Sequence, residues 1–181
     1  MSVPESPLAE TAGGLEPSAE GWFVVNARDT CWWGRPGMGR HAPFSGKGRR
    51  FPQVGFKLWV LEPGEPNCMY HGEDVQEDFL VLQGECLLLV DGRERLLRAW
   101  DFVHCPPWVE HAFVGAGEGP CIVVMVGARP DEEVVYPVSE PARRHGAGVE
   151  RETRSPAEAY AAWEPWERTR LDGERLPWTG A

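Results

Sequence analysis

Short apolar runs recur through the middle of the chain at intervals of roughly ten residues, with turn-forming residues between them. In the first run, residues 54–60, every second position is an apolar residue: Val54, Phe56, Leu58 and Val60. A turn at Pro63-Gly64 follows this run. Further along, Asp91-Gly92 is a strong hairpin signal, because these residue types accept the positive φ of a tight turn. This segment has no helical periodicity. The pattern therefore predicts an antiparallel sandwich or barrel of short strands.

The segments on either side of this region differ from it in composition. Residues 1–20 hold four acidic and no basic side chains and few large apolar ones, which predicts a disordered acidic tail. Residues 21–50 contain two Trp-rich strand-like runs and then a basic, Gly-rich loop. We assign residues 51–138 to the barrel. Residues 139–181 form a polar C-terminal extension, in which a capping box with proline at the first helical position predicts a helix over about 156–164.

The charge balance excludes some partners. Acidic residues outnumber basic ones by 28 to 18, so the formal net charge is −10. Phosphates repel such a chain, and we expect no nucleic-acid or membrane partner. The longest apolar run, Cys121–Ala128, is too short to cross a bilayer. Near the N-terminus, Glu5, Glu10 and Glu16 stand where a signal peptide needs basic and apolar residues, so we expect a cytoplasmic protein.

Most candidate metal ligands lie in residues 70–78. His71, Glu73 and Glu77 share one parity, so on an extended backbone they project from the same face. A second histidine, His111, follows a Pro-rich turn, and all four side chains can converge if the sheet closes into a barrel. Two carboxylates in an apolar cavity repel each other, and a divalent cation removes that cost. Two imidazoles with two carboxylates suit Mn²⁺, Fe²⁺ or Zn²⁺ better than Ca²⁺ or Mg²⁺.

Two segments, 63–84 and 99–113, resemble the two sequence motifs of the cupin superfamily. The matching positions are Pro63-Gly64, His71-Gly72-Glu73, Glu77, Gly84, Trp100-Asp101, Pro106-Pro107-Trp108 and His111. The resemblance implies an all-β fold, a small antiparallel double-stranded β-helix (the jelly-roll barrel of the cupins). N-terminal extra strands and a short C-terminal helix would be added to this barrel.

The first motif admits two alignments, because the family usually has a His-x-His pair at this point. One alignment pairs Tyr70 and Gly72 with those histidines, which leaves two ligands and no metal site. The other fills every position with a competent ligand, and we prefer it. It implies one divalent metal ion (Mn, Fe or Zn) held by four side chains: His71, Glu73, Glu77 and His111.

The second motif departs from the family at two turns. Trp100 and Trp108 stand where glycine is usual, so we expect the turn at Trp108 to differ and its indole to wall a substrate pocket. Phe79 and Phe113 follow the candidate ligands Glu77 and His111 at i+2, and we assign them to the same pocket wall.

The cupin scaffold hosts enzymes and binding proteins alike, so the resemblance leaves the function open. We favour a metal-dependent cupin that acts on a small organic molecule, of the Fe or Mn oxygenase type, with Glu73 as ligand and general base. A non-catalytic small-molecule-binding or structural cupin is the alternative. A sugar isomerase or epimerase is a third option, although the sequence shows no clear His–Tyr pair for it. Cupins commonly exchange N-terminal strands, so we expect a homodimer with residues 22–33 as the exchanged segment.

Overall fold

A computed structural model describes residues 2–46, 48–129, 133–171 and 176–177. Short strands dominate it. In chain order, the elements are β1 (Leu8–Thr11), β2 (Gly14–Pro17), β3 (Trp32–Arg35), β4 (Met38–Ala42), β5 (Val54–Leu61), β6 (Gly72–Glu73), β7 (Glu77–Gln83), β8 (Glu85–Val90), β9 (Arg93–Arg98), β10 (Phe102–Cys105), β11 (His111–Ala116), β12 (Cys121–Ala128), β13 (Val134–Val135), α1 (Glu140–Arg144), α2 (Pro156–Ala159) and β14 (Glu167–Thr169).

Two antiparallel sheets form the barrel. The larger has the strand order β10-β7-β12-β5-β4-β3-β14, and the smaller has the order β11-β8-β9. Their inner faces share one core, in which Trp59 and Phe79 of the larger sheet lie with Leu88 and Phe113 of the smaller. The predicted all-β antiparallel barrel is confirmed. Among the described residues, no helix is long and apolar enough to cross a membrane.

Strand β5 has a buried residue on both of its faces. Leu58 and Val60 pack into a second cluster with Trp32 and Ile122, on the outer side of the larger sheet. Trp59 belongs to the inner core instead. Residues outside the strands, including Leu171 and Leu176, complete this outer cluster.

The prediction of a disordered acidic tail is wrong for residues 8–17, which form the hairpin β1–β2. The acidic side chains of this segment find basic partners far along the chain. Glu16 accepts two hydrogen bonds from Arg168, at 3.1 and 2.9 Å, and Glu10 pairs with Arg170. These long-range ion pairs hold in place a segment that has little apolar surface of its own.

The predicted basic loop and C-terminal helix are also shorter than expected. Part of the loop is strand β4, which pairs with both β3 and β5, and its Met38 and Ala42 side chains are buried. Helix α2 begins at Pro156 as predicted, with the Ser155 side chain accepting from the N–H of Glu158, but it ends at Ala159. Residues 172–175 and 178–181 of the predicted extension lie outside the described residues. The segment boundaries remain predictions.

Candidate metal centre

Three of the four predicted ligands converge at one end of the barrel. One ligand atom from each of His71, Glu77 and His111 lies within 4.8 Å of the others. Backbone pairing sets this arrangement, since the N–H of His71 donates to the carbonyl of His111 at 3.2 Å and the reverse bond measures 2.8 Å. Glu77 begins β7 and His111 begins β11.

Each histidine ring is oriented by the backbone two residues earlier. Nδ1 of His71 lies 2.8 Å from the carbonyl oxygen of Met69, and Nδ1 of His111 lies 2.9 Å from that of Val109. Because a carbonyl only accepts, Nδ1 of each ring carries the proton and donates it. In both neutral rings this leaves Nε2 as the ligand atom, the arrangement usual for metal-binding histidines.

Both Nε2 atoms face a glutamate. Nε2 of His71 lies 3.2 Å from Oε1 of Glu73, and Nε2 of His111 lies 3.1 Å from Oε2 of Glu77. Oε2 of Glu77 is buried and has no hydrogen-bond partner among the described residues. Two ligands bound to one ion at about 2.1 Å and at right angles to each other are about 3 Å apart. The spacing and the unpartnered oxygen therefore fit a divalent ion.

Glu73 lies beside this trio. Burial by itself raises the pKa of Glu73, but the hydrogen bond and charge of His71, with the charge of Lys57, bring it below its ordinary value. Burial by itself lowers the pKa of His71, and the neighbouring Cys68 and Glu73 side chains raise it well above its ordinary value. Without a metal ion, the two residues thus form an ion pair, and a metal has to displace the proton of His71.

The trio opens into a cavity of about 180 Å³. Its described lining combines the candidate ligands with residues that sequence reasoning missed. Among these additional residues are Lys57, Trp59, Arg129, Tyr136 and Tyr160. A lysine within an otherwise apolar strand was a usable signal for Lys57. The tyrosines had none, because both follow the two barrel motifs in the sequence and only the tertiary fold brings them to the cavity.

The family model of the cupin domain matches residues 57–127. This chain contains a cupin domain. No curated protein sequence is similar enough to count as a match.

Several solved cupin-like structures are similar in fold. A candidate sugar phosphate isomerase from Acidithiobacillus ferrooxidans is 25% identical over 55% of this chain and 65% of its own length, with a TM-score of 0.48. A sugar phosphate isomerase of the cupin superfamily from Silicibacter pomeroyi is 26% identical over 53% and 63%, with a TM-score of 0.47. A cupin 2 domain-containing protein from Halorhodospira halophila is 17% identical over 69% and 75%, with a TM-score of 0.46. The match thus spans just under two thirds of the two isomerases.

The pocket wall of this cupin differs from the one predicted. Phe79 lines the cavity, with its ring 5.0 Å from that of His111. Phe113 does not line it, because it lies fully buried in the core with its ring 4.6 Å from Phe79. Trp108 does not line it either, and 46% of its surface is exposed to solvent. Its role in the pocket therefore remains a prediction without support from the cavity lining.

The two tryptophans of the second motif keep a backbone typical of glycine. Trp100 has a φ of 75° and Trp108 a φ of 68°, in the left-handed region that L-residues adopt at a cost of about 1 kcal/mol. Each turn therefore holds a conformation that glycine accepts freely, although the side chain has changed. The expected change of the turn at Trp108 does not appear in its φ.

Proposed function

We propose that this cupin binds one divalent transition-metal ion through His71, His111 and Glu77 and acts on a small organic molecule there. The buried, unpartnered Oε2 of Glu77 beside two histidine Nε2 atoms is the observation that supports this most directly. Two histidines with one carboxylate form the donor set of non-haem iron(II) oxygenases, so an oxygenase is the favoured reaction type.

The protein residues have distinct roles in this proposal. A bound ion supplies Lewis acidity and, as iron(II), a centre for oxygen activation. Glu73 lies beside His71 and is the general base, with the option of serving as a fourth ligand. Trp59 and Phe79 line the cavity with apolar surface, which limits the access of water to the reacting atoms.

Metal analysis tests the site. Protein purified without chelator and titrated with Mn²⁺ or Fe²⁺ is expected to bind one ion per chain. His71→Ala and His111→Ala are expected to lose it, by more than the roughly 10–100-fold that outer partners of a metal site contribute. His104→Ala is the matched control, because His104 is half exposed and pairs with Asp78 away from the cavity. Unchanged metal content in either test variant contradicts the proposed ligand set.

Oxygen consumption tests the reaction type separately. The iron-loaded protein is expected to consume O₂ with at least one member of a panel of small phenols, diketones and thiols, and His111→Ala is expected not to. Background consumption across the panel, with iron bound, contradicts the oxygenase proposal and leaves the metal site standing. That outcome favours the non-catalytic binding cupin.

One observation favours a second reaction type, proton transfer of the isomerase kind. The Tyr136 ring lies 5.9 Å from that of His71, which provides the His–Tyr pair that the sequence did not reveal. Burial raises the pKa of Tyr136, so its hydroxyl keeps the proton that a general acid donates. If the protein is an isomerase, the wild type is expected to incorporate deuterium from D₂O into dihydroxyacetone. Tyr136→Phe is expected to lose this activity. No uptake contradicts it.

The wider proposal concerns the whole molecule. We propose a cytoplasmic homodimer with a small-molecule substrate. We also propose that neither nucleic acid nor membrane is a partner, and the net charge of −10 supports this part of the proposal. Trp32–Arg35 pairs with β4 and β14 of its own chain, so the exchange of residues 22–33 would require these contacts to open. Sedimentation equilibrium measures the oligomeric state directly, and a monomer across the concentration range contradicts the dimer.

A further inference from the structure

The cavity wall beside Glu77 is built on two glycines. Gly55 of β5 pairs directly with Gly127 of β12, and Gly127 pairs in turn with Glu77 of β7. A Cβ atom at Gly55 would lie 2.4 Å from Nε of Arg129. The Arg129 side chain therefore lies across Gly55, in space that any other residue would fill. This contact places the guanidinium over the line of paired residues that runs from Gly55 through Gly127 to the candidate ligand Glu77.

Two N–H donors of this wall have no partner in the protein. Nε of Arg129 and Nε1 of Trp59 are both buried and lack a hydrogen-bond partner among the described residues. Trp59 is only 4% exposed, and both residues line the cavity. Neither side chain can accept a hydrogen bond, so only an acceptor can satisfy these nitrogens. Buried donors in native structures nearly always have a partner, and a ligand with acceptor oxygens would provide it.

The charges of the cavity point to the same kind of ligand. Lys57 projects from β5 on the same face as Gly55 and Trp59 and also lines the cavity. Neither Lys57 nor Arg129 forms an ion pair within the described part of the chain. With neutral histidines, the two positive charges of Lys57 and Arg129 offset the negative charges of Glu73 and Glu77. A divalent ion with neutral histidine ligands adds two positive charges, and the filled site then attracts an anion.

We infer that the substrate is a small organic anion whose carboxylate or phosphate group is bound by Arg129, Lys57 and the indole N–H of Trp59. The inference rests on the proposed function, because the surplus positive charge comes from the bound metal. A guanidinium suits both groups, since its planar fork binds two oxygens at once. The cavity also limits the size of the substrate, because its volume of about 180 Å³ is below the roughly 300–1,000 Å³ of pockets for drug-sized ligands.

Calorimetric titration with matched probes tests the inference. The Mn²⁺-loaded protein is titrated with lactate, with lactamide, which has nearly the same size but no charge, and with inorganic phosphate. Lactate or phosphate is expected to bind at least about tenfold more tightly than lactamide, as a charge-assisted contact requires. Whichever of the two anions binds more tightly identifies the group that the site prefers.

The variants assign the binding to this wall. Arg129→Gln is expected to weaken anion binding by about tenfold or more, whereas Arg129→Lys keeps the charge and loses only the fork. Arg95→Gln on the exposed face of β9 is the control and is expected to bind as the wild type does. A Mn²⁺ titration and a melting curve of each variant show first that the metal site and the fold are intact.

The possible failures are distinguishable. Equal binding of lactate and lactamide, no binding of either anion, or unchanged anion affinity in an intact Arg129→Gln variant overturns the anion inference and leaves the metal site standing. Absence of Mn²⁺ binding to the wild type overturns the proposed function instead. The same titrations on metal-free protein then judge the anion site. Arg129-dependent binding sustains it, and no binding overturns it.

Discussion

Nε2 of His111 lies 3.1 Å from Oε2 of Glu77, and this buried oxygen has no hydrogen-bond partner among the described residues. The Nδ1–H of His111 is already donated to the carbonyl of Val109. A neutral ring therefore turns a lone pair towards a carboxylate, and two acceptors face each other. The contact becomes favourable only when a cation or a proton lies between the two atoms.

The first prediction follows from this contact. Glu77→Gln replaces an acceptor with an amide that donates to Nε2 of His111. In the presence of chelator, we expect the free energy of unfolding to rise by about 1 kcal/mol, the contribution of one net hydrogen bond. We also expect the affinity for Mn²⁺ to fall. Urea unfolding with chelator and Mn²⁺ titration measure the two effects.

The control for this prediction is Glu164→Gln, because Glu164 is exposed and does not line the cavity of the metal centre. We expect it to change neither quantity. If Glu77→Gln destabilises the chelated protein and leaves Mn²⁺ affinity unchanged, Glu77 is a structural acid and the ligand assignment is wrong.

Local sequence patterns predicted the strands, their turns and the convergence of ligands. The Asp91-Gly92 turn has the positive φ values that its residue types favour, 47° and 69°. Parity and the motif spacing predicted that His71, Glu77 and His111 would approach each other. Both signals depend on the alternation of side chains along a strand and on the pairing of neighbouring strands. The pairing of Glu73 with His71 rather than within the trio depends on side-chain geometry, which no pattern contains.

Contacts between distant parts of the chain could not be predicted in this way. Arg168 reaches Glu16 of the acidic N-terminal segment from the other end of the chain, and composition does not show which arginine pairs with which acid. Tyr136 reaches the cavity from beyond the barrel motifs. The position of Arg129 depends on the missing Cβ of Gly55, a steric fact that is visible only when both strands are placed.

The second prediction concerns pH and His41. Burial, followed by the charges of Lys57 and Arg35, lowers the pKa of His41 to about 3. In the unfolded chain this group takes up a proton below about pH 6.5. The unfolded state therefore binds more protons between these two values, and His41 costs the fold stability as the pH falls.

His41→Phe tests this, because it keeps an aromatic ring against Trp59, which His41 stacks on at 4.5 Å. Between pH 7 and pH 5, the metal-free wild type is expected to lose about 2 kcal/mol more free energy of unfolding than the variant. Urea unfolding at both pH values measures the difference. Arg95→Gln, a change at an exposed position of β9, is expected to lose as much as the wild type. Equal losses in wild type and His41→Phe contradict the prediction.

The third prediction concerns the N-terminal hairpin. The Glu16 side chain is 11% exposed and accepts both hydrogen bonds of the Arg168 guanidinium. Arg168→Met removes the cation from a nearly buried carboxylate, and we expect the free energy of unfolding to fall by about 3 kcal/mol. A glutamate-specific protease is expected to cut residues 2–20 faster, since this segment then opens separately.

The matched control is Arg151→Met, because Arg151 is exposed. A second variant, Arg168→Met with Glu16→Gln, removes the buried charge as well and is expected to recover part of the loss. If cleavage of residues 2–20 stays at the wild-type rate in Arg168→Met, the ion pair does not hold the hairpin.

The last prediction tests the contact between Gly55 and Arg129. A methyl group at Gly55 would lie 2.4 and 2.6 Å from two guanidinium nitrogens of Arg129, which are the flexible end of that side chain. We therefore expect Gly55→Ala to displace the guanidinium and to leave the melting temperature nearly unchanged. Lactate or phosphate affinity is expected to fall by about as much as in Arg129→Gln, roughly tenfold. Residues in contact are not additive, so the double variant is expected to lose no more than either single one. Wild-type affinity in Gly55→Ala, or losses that add in full, would show that the glycine does not position Arg129.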